Sequence, residues 1–256
     1  MPTRESYVEG TPSWTDLSTP DVEGAKAFYR ELFGWDYTEE ETDSTPYVMA
    51  LRNGLSAAGI GALPDESMPS VWSTYFAVDD ADATAAKIQD AGGSLMMECI
   101  DITDVGRMAF AADPNGAIFG IWEAKSHFGA AIVNEHGAMN WNELLSDNLG
   151  VGLDFYSLVF GSTHETAEMP NGPYTSFAVG DRVVAGAMPK PDPEIPNSWG
   201  VYFAVDDTAQ AIETANVNGG HVTYGPLDIP DVGVFAGIAD PYGANFTVIQ
   251  LAQPVD

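Results

Sequence analysis

Two carboxylates stand where acid–base chemistry could be done. Asp16 follows Trp14 by two residues, and Glu143 follows Trp141 by two. Strand positions two apart share a face, so each carboxylate lies beside an indole. A carboxyl group desolvated by such a neighbour has a raised pKa and can serve as a general base. The alternative is a carboxylate held by a backbone N–H or left in water. Arg107, one of nine basic residues, could hold an anionic ligand group. The reading preferred over that one is a structural salt bridge to Asp101 or Asp104. Cys99 is the single cysteine, which excludes an intrachain disulfide and a cysteine-built zinc or iron–sulfur site. It sits in a predicted strand with no activating histidine, and reads as a small buried hydrophobe. His127, His136, His164 and His221 show no metal-binding spacing. Gly59-x-Gly61 lacks the strand-to-helix context of a phosphate loop.

The elements that must position these residues come from a duplication. At a constant offset of 127 residues, Trp14 pairs with Trp141, Phe28-Tyr29 with Phe155-Tyr156, and Pro46-Tyr47 with Pro173-Tyr174. The run Tyr75 to Asp80 pairs with Tyr202 to Asp207, and Asp113-Pro114-x-Gly116 with Asp240-Pro241-x-Gly243. Repeats of this kind outrank local patterns in fixing an architecture. Within one copy, residues 13–19 alternate as a strand. Asp21 caps a helix whose apolar face is Val22, Ala25, Phe28, Tyr29 and Leu32, and Gly34 stops it. Strands are predicted at 35–38, 47–51, 57–63 and 71–78. Asp79 and Asp80 cap a second helix that ends at Gly92-Gly93. Strands 94–99, 108–112 and 117–123 follow, the last two joined by the Asp113-Pro114-Asn115-Gly116 turn. The order β-α-β-β-β thus occurs twice per copy and four times in the chain. It predicts an α+β fold of tandem domains, 7–124 and 139–252, joined by a linker at 125–138. Helices should cover the outer face of each mixed sheet, leaving the other face to form a cup.

Acidic residues outnumber basic ones 38 to 9, for a net charge of −29. Such a charge disfavours nucleic acid and anionic membrane surfaces as partners. No apolar run approaches the ~20 residues of a membrane span, and the first ten residues carry no signal-peptide core. The expectation is a cytoplasmic protein, either a monomer with an internal pseudo-two-fold axis or a homodimer.

The module order, with Asp21-x6-Phe28-Tyr29-x3-Phe33-Gly34, Val78-Asp79-Asp80 and Asp113-Pro114-x-Gly116, all repeated in the second copy, resembles the vicinal oxygen chelate superfamily of glyoxalases, bleomycin-resistance proteins and extradiol dioxygenases. The resemblance covers nearly the whole chain and is similar in kind to two-domain actinobacterial glyoxalase-like proteins. It implies a divalent ion held from the first, fifth and last strands of a domain. Carried over, those positions are Trp14, Ser73 and Gly120 in the first copy and Trp141, Gly200 and Thr247 in the second. None is a good ligand, so no metal site and no cofactor are expected. A metal bound through Asp16 or Glu143 with further donors is the alternative.

Alternation places Trp14, Tyr75 and Trp122, and in the second copy Trp141 and Tyr202, on the cup face. Aromatic walls with a few polar groups suit a planar, largely apolar small-molecule ligand. The same rings could instead fill the cups as core, giving an interaction protein. A third reading is a glyoxalase-like lyase or hydroxylase that uses Asp16 or Glu143. Trp72 and Trp199, at strand entries, read as packing residues.

Overall fold

A computed structural model describes residues 3–40, 47–169 and 172–253. Pro46 lies outside the described residues. The first half contributes β1 (Pro12–Thr19), α1 (Val22–Phe33), β2 (Asp36–Glu40), β3 (Tyr47–Arg52), β4 (Leu55–Ala62), β5 (Val71–Val78), α2 (Ala81–Asp90), β6 (Ser94–Leu95), β7 (Ile100–Ile102), β8 (Gly106–Ala112) and β9 (Ile118–Ala124). The second half repeats the order with β10 (Met139–Ser146), α3 (Leu149–Phe160), β11 (Thr163–Met169), β12 (Gly172–Val179), β13 (Arg182–Pro189), β14 (Ser198–Ala204), α4 (Thr208–Val217), β15 (His221–Ile229), β16 (Gly233–Ala239) and β17 (Asn245–Leu251). The fold is α+β, with two curved mixed sheets in tandem, as the module order predicted.

Local chemistry explains the boundaries. The Asp21 side chain accepts from Gly24 N–H to cap α1, and Gly34 closes that helix at φ 66°, in the left-handed region where a Cβ is costly. Asp80 and Asp207 cap α2 and α4 in the same way. One predicted strand is corrected. Residues 94–99 pair only over Ser94 and Leu95, and Cys99 lies between β6 and β7, half-buried, its Sγ directed at the Ala81 carbonyl.

Each sheet joins two modules through antiparallel central strands. The first runs β2-β3-β4-β1-β5-β9-β8-β6, with β7 also on β8; the second runs β11-β12-β13-β10-β14-β17-β16-β15. A register shift precedes Trp14 in β1, and the same shift precedes Trp141 in β10. Such irregularities re-aim side chains.

The outer faces of the two sheets are buried against each other across the repeat. One core joins Leu17, Phe28, Tyr29, Phe33, Trp35 and Trp72 to Phe203, Ile238, Phe246 and Val248. The other joins Phe76, Ile88, Phe119 and Ile121 to Phe155, Tyr156, Phe160 and Trp199. α1 therefore packs with α4, and α2 with α3. Two reciprocal polar contacts fasten this arrangement. Tyr29 Oη donates to Asp240 Oδ2 at 3.1 Å and receives Trp72 Nε1–H at 2.9 Å. Tyr156 Oη donates to Asp113 Oδ2 at 3.3 Å and receives Trp199 Nε1–H at 2.8 Å. The other oxygen of each aspartate accepts two backbone N–H groups of its own turn. The Phe-Tyr and Asp-Pro-x-Gly motifs thus meet across the two halves. The segment between the halves is packed rather than free: Ala130, Ile132 and Ala138 are buried, and Trp35 Nε1 donates to the Gly137 carbonyl at 2.6 Å.

Candidate functional site: two carboxylate–tyrosine cups

With the helices on the outer faces, the inner faces form the cups. In the first, alternation puts Trp14 and Asp16 of β1, Tyr75 of β5 and Trp122 of β9 on one surface, as expected. Tyr75 Oη donates to Asp16 Oδ2 at 2.9 Å and Tyr47 Oη donates to the same oxygen at 3.2 Å. Trp14 Nε1 in turn donates to Tyr47 Oη at 2.9 Å. Among the described residues Oδ1 of Asp16 receives no hydrogen bond. Asp16 is enclosed by protein yet keeps some water-accessible surface, the situation of a group on the floor of a hollow. Its burial raises its pKa to about 6, against the opposing pull of Tyr75 and Tyr47. Ionisation is disfavoured where the charge loses its water.

The second cup repeats the arrangement with a longer acid. Tyr202 Oη donates to Glu143 Oε2 at 2.7 Å, and Trp141 Nε1 donates to Tyr174 Oη at 2.8 Å. Glu143 is 7 % exposed. Burial raises its pKa, opposed by hydrogen bonding from Tyr202 and Tyr174. Tyr224 of β15 shares a 2.6 Å hydrogen bond with Thr247.

Glycines let rings lie against the sheets. A Cβ on Gly59 would meet Tyr47 Oη, one on Gly120 would meet the Tyr75 ring, and one on Gly106 would meet Trp122. In the second cup Gly186 lies under Tyr174 and Gly237 under Tyr224. Gly59, which lacks a phosphate-loop context in the sequence, is thus a seat for a tyrosine.

Tyr47, Tyr174 and Tyr224 were missed by residue-type reasoning. Tyr47 and Tyr174 recur at the repeat offset, which was the available signal. His127 was also missed. Its ring meets Trp14 edge-on at 4.5 Å between centroids and lies 5.7 Å from Trp122, while Trp122 Nε1 donates to its carbonyl. Burial lowers its pKa to about 4, so the imidazole is neutral near pH 7.

Arg107 takes the ion-pair alternative. It lies on β8 between the cup-facing positions and points to the helix side, where it pairs with Asp82 at 2.9 Å and Asp101 at 3.1 Å. Strand alternation turns it away from the hollow, so it does not join the cup cluster. A cleft of about 420 Å³ also lies outside both cups, between α1 and the Pro241-Tyr242 turn, and holds none of the carboxylate–tyrosine residues.

The family's ion-binding positions do not fit a divalent cation. Trp14, Gly120, Trp141 and Gly200 offer no side-chain donor to a metal, and the hydroxyls of Ser73 and Thr247 are weak ligands on their own. Among the described residues, no three His, Cys, Asp or Glu side chains gather as a metal-holding group. No helix among them is long and apolar enough to cross a membrane.

The fold and its inner faces define a class: a duplicated two-cup α+β protein with a carboxylate under aromatic rings in each cup. Residues 11–121 match the family model described as Glyoxalase/Bleomycin resistance protein/Dioxygenase superfamily. The chain is 46% identical over 258 residues to "Putative glyoxylase CFP32" of Mycobacterium bovis, covering 98% of this chain and 99% of that protein. It is 33% identical over 263 residues to "Anthracycline biosynthesis protein DnrV" of Streptomyces peucetius, covering 96% of this chain and 95% of that one. The chain belongs to the Glyoxalase/Bleomycin resistance protein/Dioxygenase superfamily. Among solved structures, the Mn(II)-bound glyoxalase from Novosphingobium aromaticivorans superposes with a TM-score of 0.67 at 17% identity, over 97% of this chain and 84% of that one. The 2,3-dioxygenase LapB from Pseudomonas sp. KL28 superposes with a TM-score of 0.65 at 15% identity, over 96% and 93%. At those identities the likeness is one of fold, and fold alone does not set chemistry.

Proposed function

We propose that this chain binds a small, largely apolar aromatic molecule through ring walls and a tyrosine-held carboxylate, without a bound metal. The observation that carries this reading is the substitution of donor types. Where the superfamily's ion would be gripped there are indoles, glycines and lone hydroxyls, and beside them Asp16 and Glu143 accept hydrogen bonds from Tyr75, Tyr47 and Tyr202. Aromatic lining with one or two convergent polar groups is the usual make-up of a small-molecule site. Metal analysis of protein purified without chelators tests it, together with ligand titration before and after EDTA. The expected result is a substoichiometric metal content and an unchanged affinity. A stoichiometric Mn, Fe, Ni or Zn ion whose removal abolishes binding refutes it.

A second reading is catalytic: a lyase or isomerase with Asp16 or Glu143 as general base, moving a proton with no change of oxidation state. The raised pKa of Asp16, about 6, favours it, because a base titrating near the working pH is the effective one. The glyoxylase and anthracycline-biosynthesis names of the relatives point the same way. Under this reading Asp16→Asn or Glu143→Gln abolishes turnover while ligand affinity persists.

A further inference from the structure

We propose that a second copy of this chain docks on the free edge of β11, so that two second-half sheets join through an antiparallel β11–β11 pair. The inference is independent of the ligand reading above. Edge strands are usually guarded by shortness, proline, bulges or charge. β6 has two residues and β7 three. β15 is interrupted by register shifts between Val222 and Tyr224 and between Tyr224 and Leu227, and it contains Pro226. β2 has three acids in five residues, which would crowd like charges in a self-pair. β11 differs. It pairs with β12 from Thr163 to Met169 without a register shift, and all seven of its residues are exposed. It holds no proline, and as an edge strand it has no neighbour on its other side, where alternate N–H and C=O groups face outward.

The strand is complementary to itself. It reads Thr163-His164-Glu165-Thr166-Ala167-Glu168-Met169. A two-fold axis at Thr166 sets His164 opposite the second copy's Glu168, Glu165 opposite Ala167, Thr163 opposite Met169, and Thr166 opposite itself. No two acids then stand directly opposite, and a histidine–glutamate pair forms on each side of the axis. His164 lies across from the core residue Phe177 of β12, so His164, Thr166 and Glu168 share the helix face. The Ser157 hydroxyl of α3 is 3.3 Å from His164 Nδ1. By donating there it leaves the neutral ring's proton on Nε2, free for a carboxylate across the edge. The same contact sets α3 beside β11. That helix carries one charged residue, Asp154, and leaves Leu158 70 % and Val151 39 % exposed. A copy seated on the edge would cover part of this apolar surface. The net charge of −29 opposes association. Salt at about 0.1 M screens repulsion beyond about 10 Å but spares contacts across paired strands. The dimer is therefore weak at low salt and tighter at high salt.

The experiment uses the full chain in sedimentation equilibrium over a wide concentration range, at low and at high NaCl. The expected result is a monomer–dimer equilibrium that shifts toward dimer with salt. His164→Glu places like charges opposite each other and should weaken the dimer at least tenfold. Glu168→Lys, which removes the acceptor, should weaken it too. The double variant exchanges the two charges and should recover most of the loss, which a folding defect would not do. All three positions of contact are exposed, so thermal unfolding of the dilute monomers should match wild type. Cross-linking fixes the register: Thr166→Cys should give a disulfide-linked dimer under mild oxidation, because facing Cα atoms of paired strands lie within disulfide reach. Thr163→Cys, which faces Met169, should not. A monomer at every concentration and salt level overturns the proposal. So does a dimer that is indifferent to His164→Glu, or one that fails to cross-link at Thr166.

Discussion

Replacing Asp16 by Asn tests the electrostatics of the first cup directly. The amide is nearly isosteric and still offers an oxygen to Tyr75 and Tyr47, so the packing of the cup is preserved. Only the ionisation is removed. The carboxyl pKa rises from 3.8 to about 6 on folding, chiefly through burial. That is about two units at about 1.4 kcal/mol each, or about 3 kcal/mol. A raised folded-state pKa means that the folded chain holds the proton more tightly than the unfolded one. The contribution to stability is therefore fully present below pH ~4 and is lost as pH rises through about 6. Urea unfolding of wild type and Asp16→Asn at pH 4, 5, 6, 7 and 8 isolates the effect, because Glu143 and the remaining acidic charge are common to both. Relative to the variant, wild type should lose about 3 kcal/mol of stability between pH 4 and pH 8. For a chain of this size that is a relative shift of roughly 6–12 °C in unfolding temperature. Parallel stability curves would show that Asp16 is solvated when folded, and the argument for a desolvated floor would fail.

Three further outcomes follow from the same structure. Tyr29→Phe removes a donor to Asp240 and strands the buried Trp72 N–H, costing about 2–4 kcal/mol in equilibrium unfolding; Tyr156→Phe should cost a similar amount, and a loss under 0.5 kcal/mol for either would contradict the shared-core account. Gly120→Ala drives a Cβ into the Tyr75 ring, so it should destabilise by about 1–3 kcal/mol and shift the tyrosine absorbance spectrum; an unperturbed spectrum would refute the seating of Tyr75. Arg107→Ala breaks two exposed ion pairs on the helix side and should leave both unfolding temperature and ligand affinity nearly unchanged. A large loss of affinity in that variant would return Arg107 to the binding site.

Much of the local architecture follows from the chain alone. The 127-residue offset fixes two copies, and the capping aspartates with Gly34 fix where α1 begins and ends. Strand alternation fixes that Trp14, Asp16, Tyr75, Trp122, Trp141, Glu143 and Tyr202 share inner faces, because the side-chain period of a strand is two whatever the surroundings. The poor metal-ligand chemistry of Trp14, Ser73, Gly120 and their counterparts is likewise a property of residue types. Alternation says which face a residue takes, but not how deep it sits or what lies above it. Those depend on contacts between distant segments. Tyr47 reaches Asp16 across the intervening strand β4, His127 folds back onto Trp14, and Tyr29 meets Asp240 from 211 residues away. The same holds for the pairing of α1 with α4 and for the side of β8 on which Arg107 finds its acidic partners. Burial and hydrogen bonding are sums over neighbours in three dimensions. Only the folded chain decides which tyrosine hydroxyls reach Asp16 and Glu143.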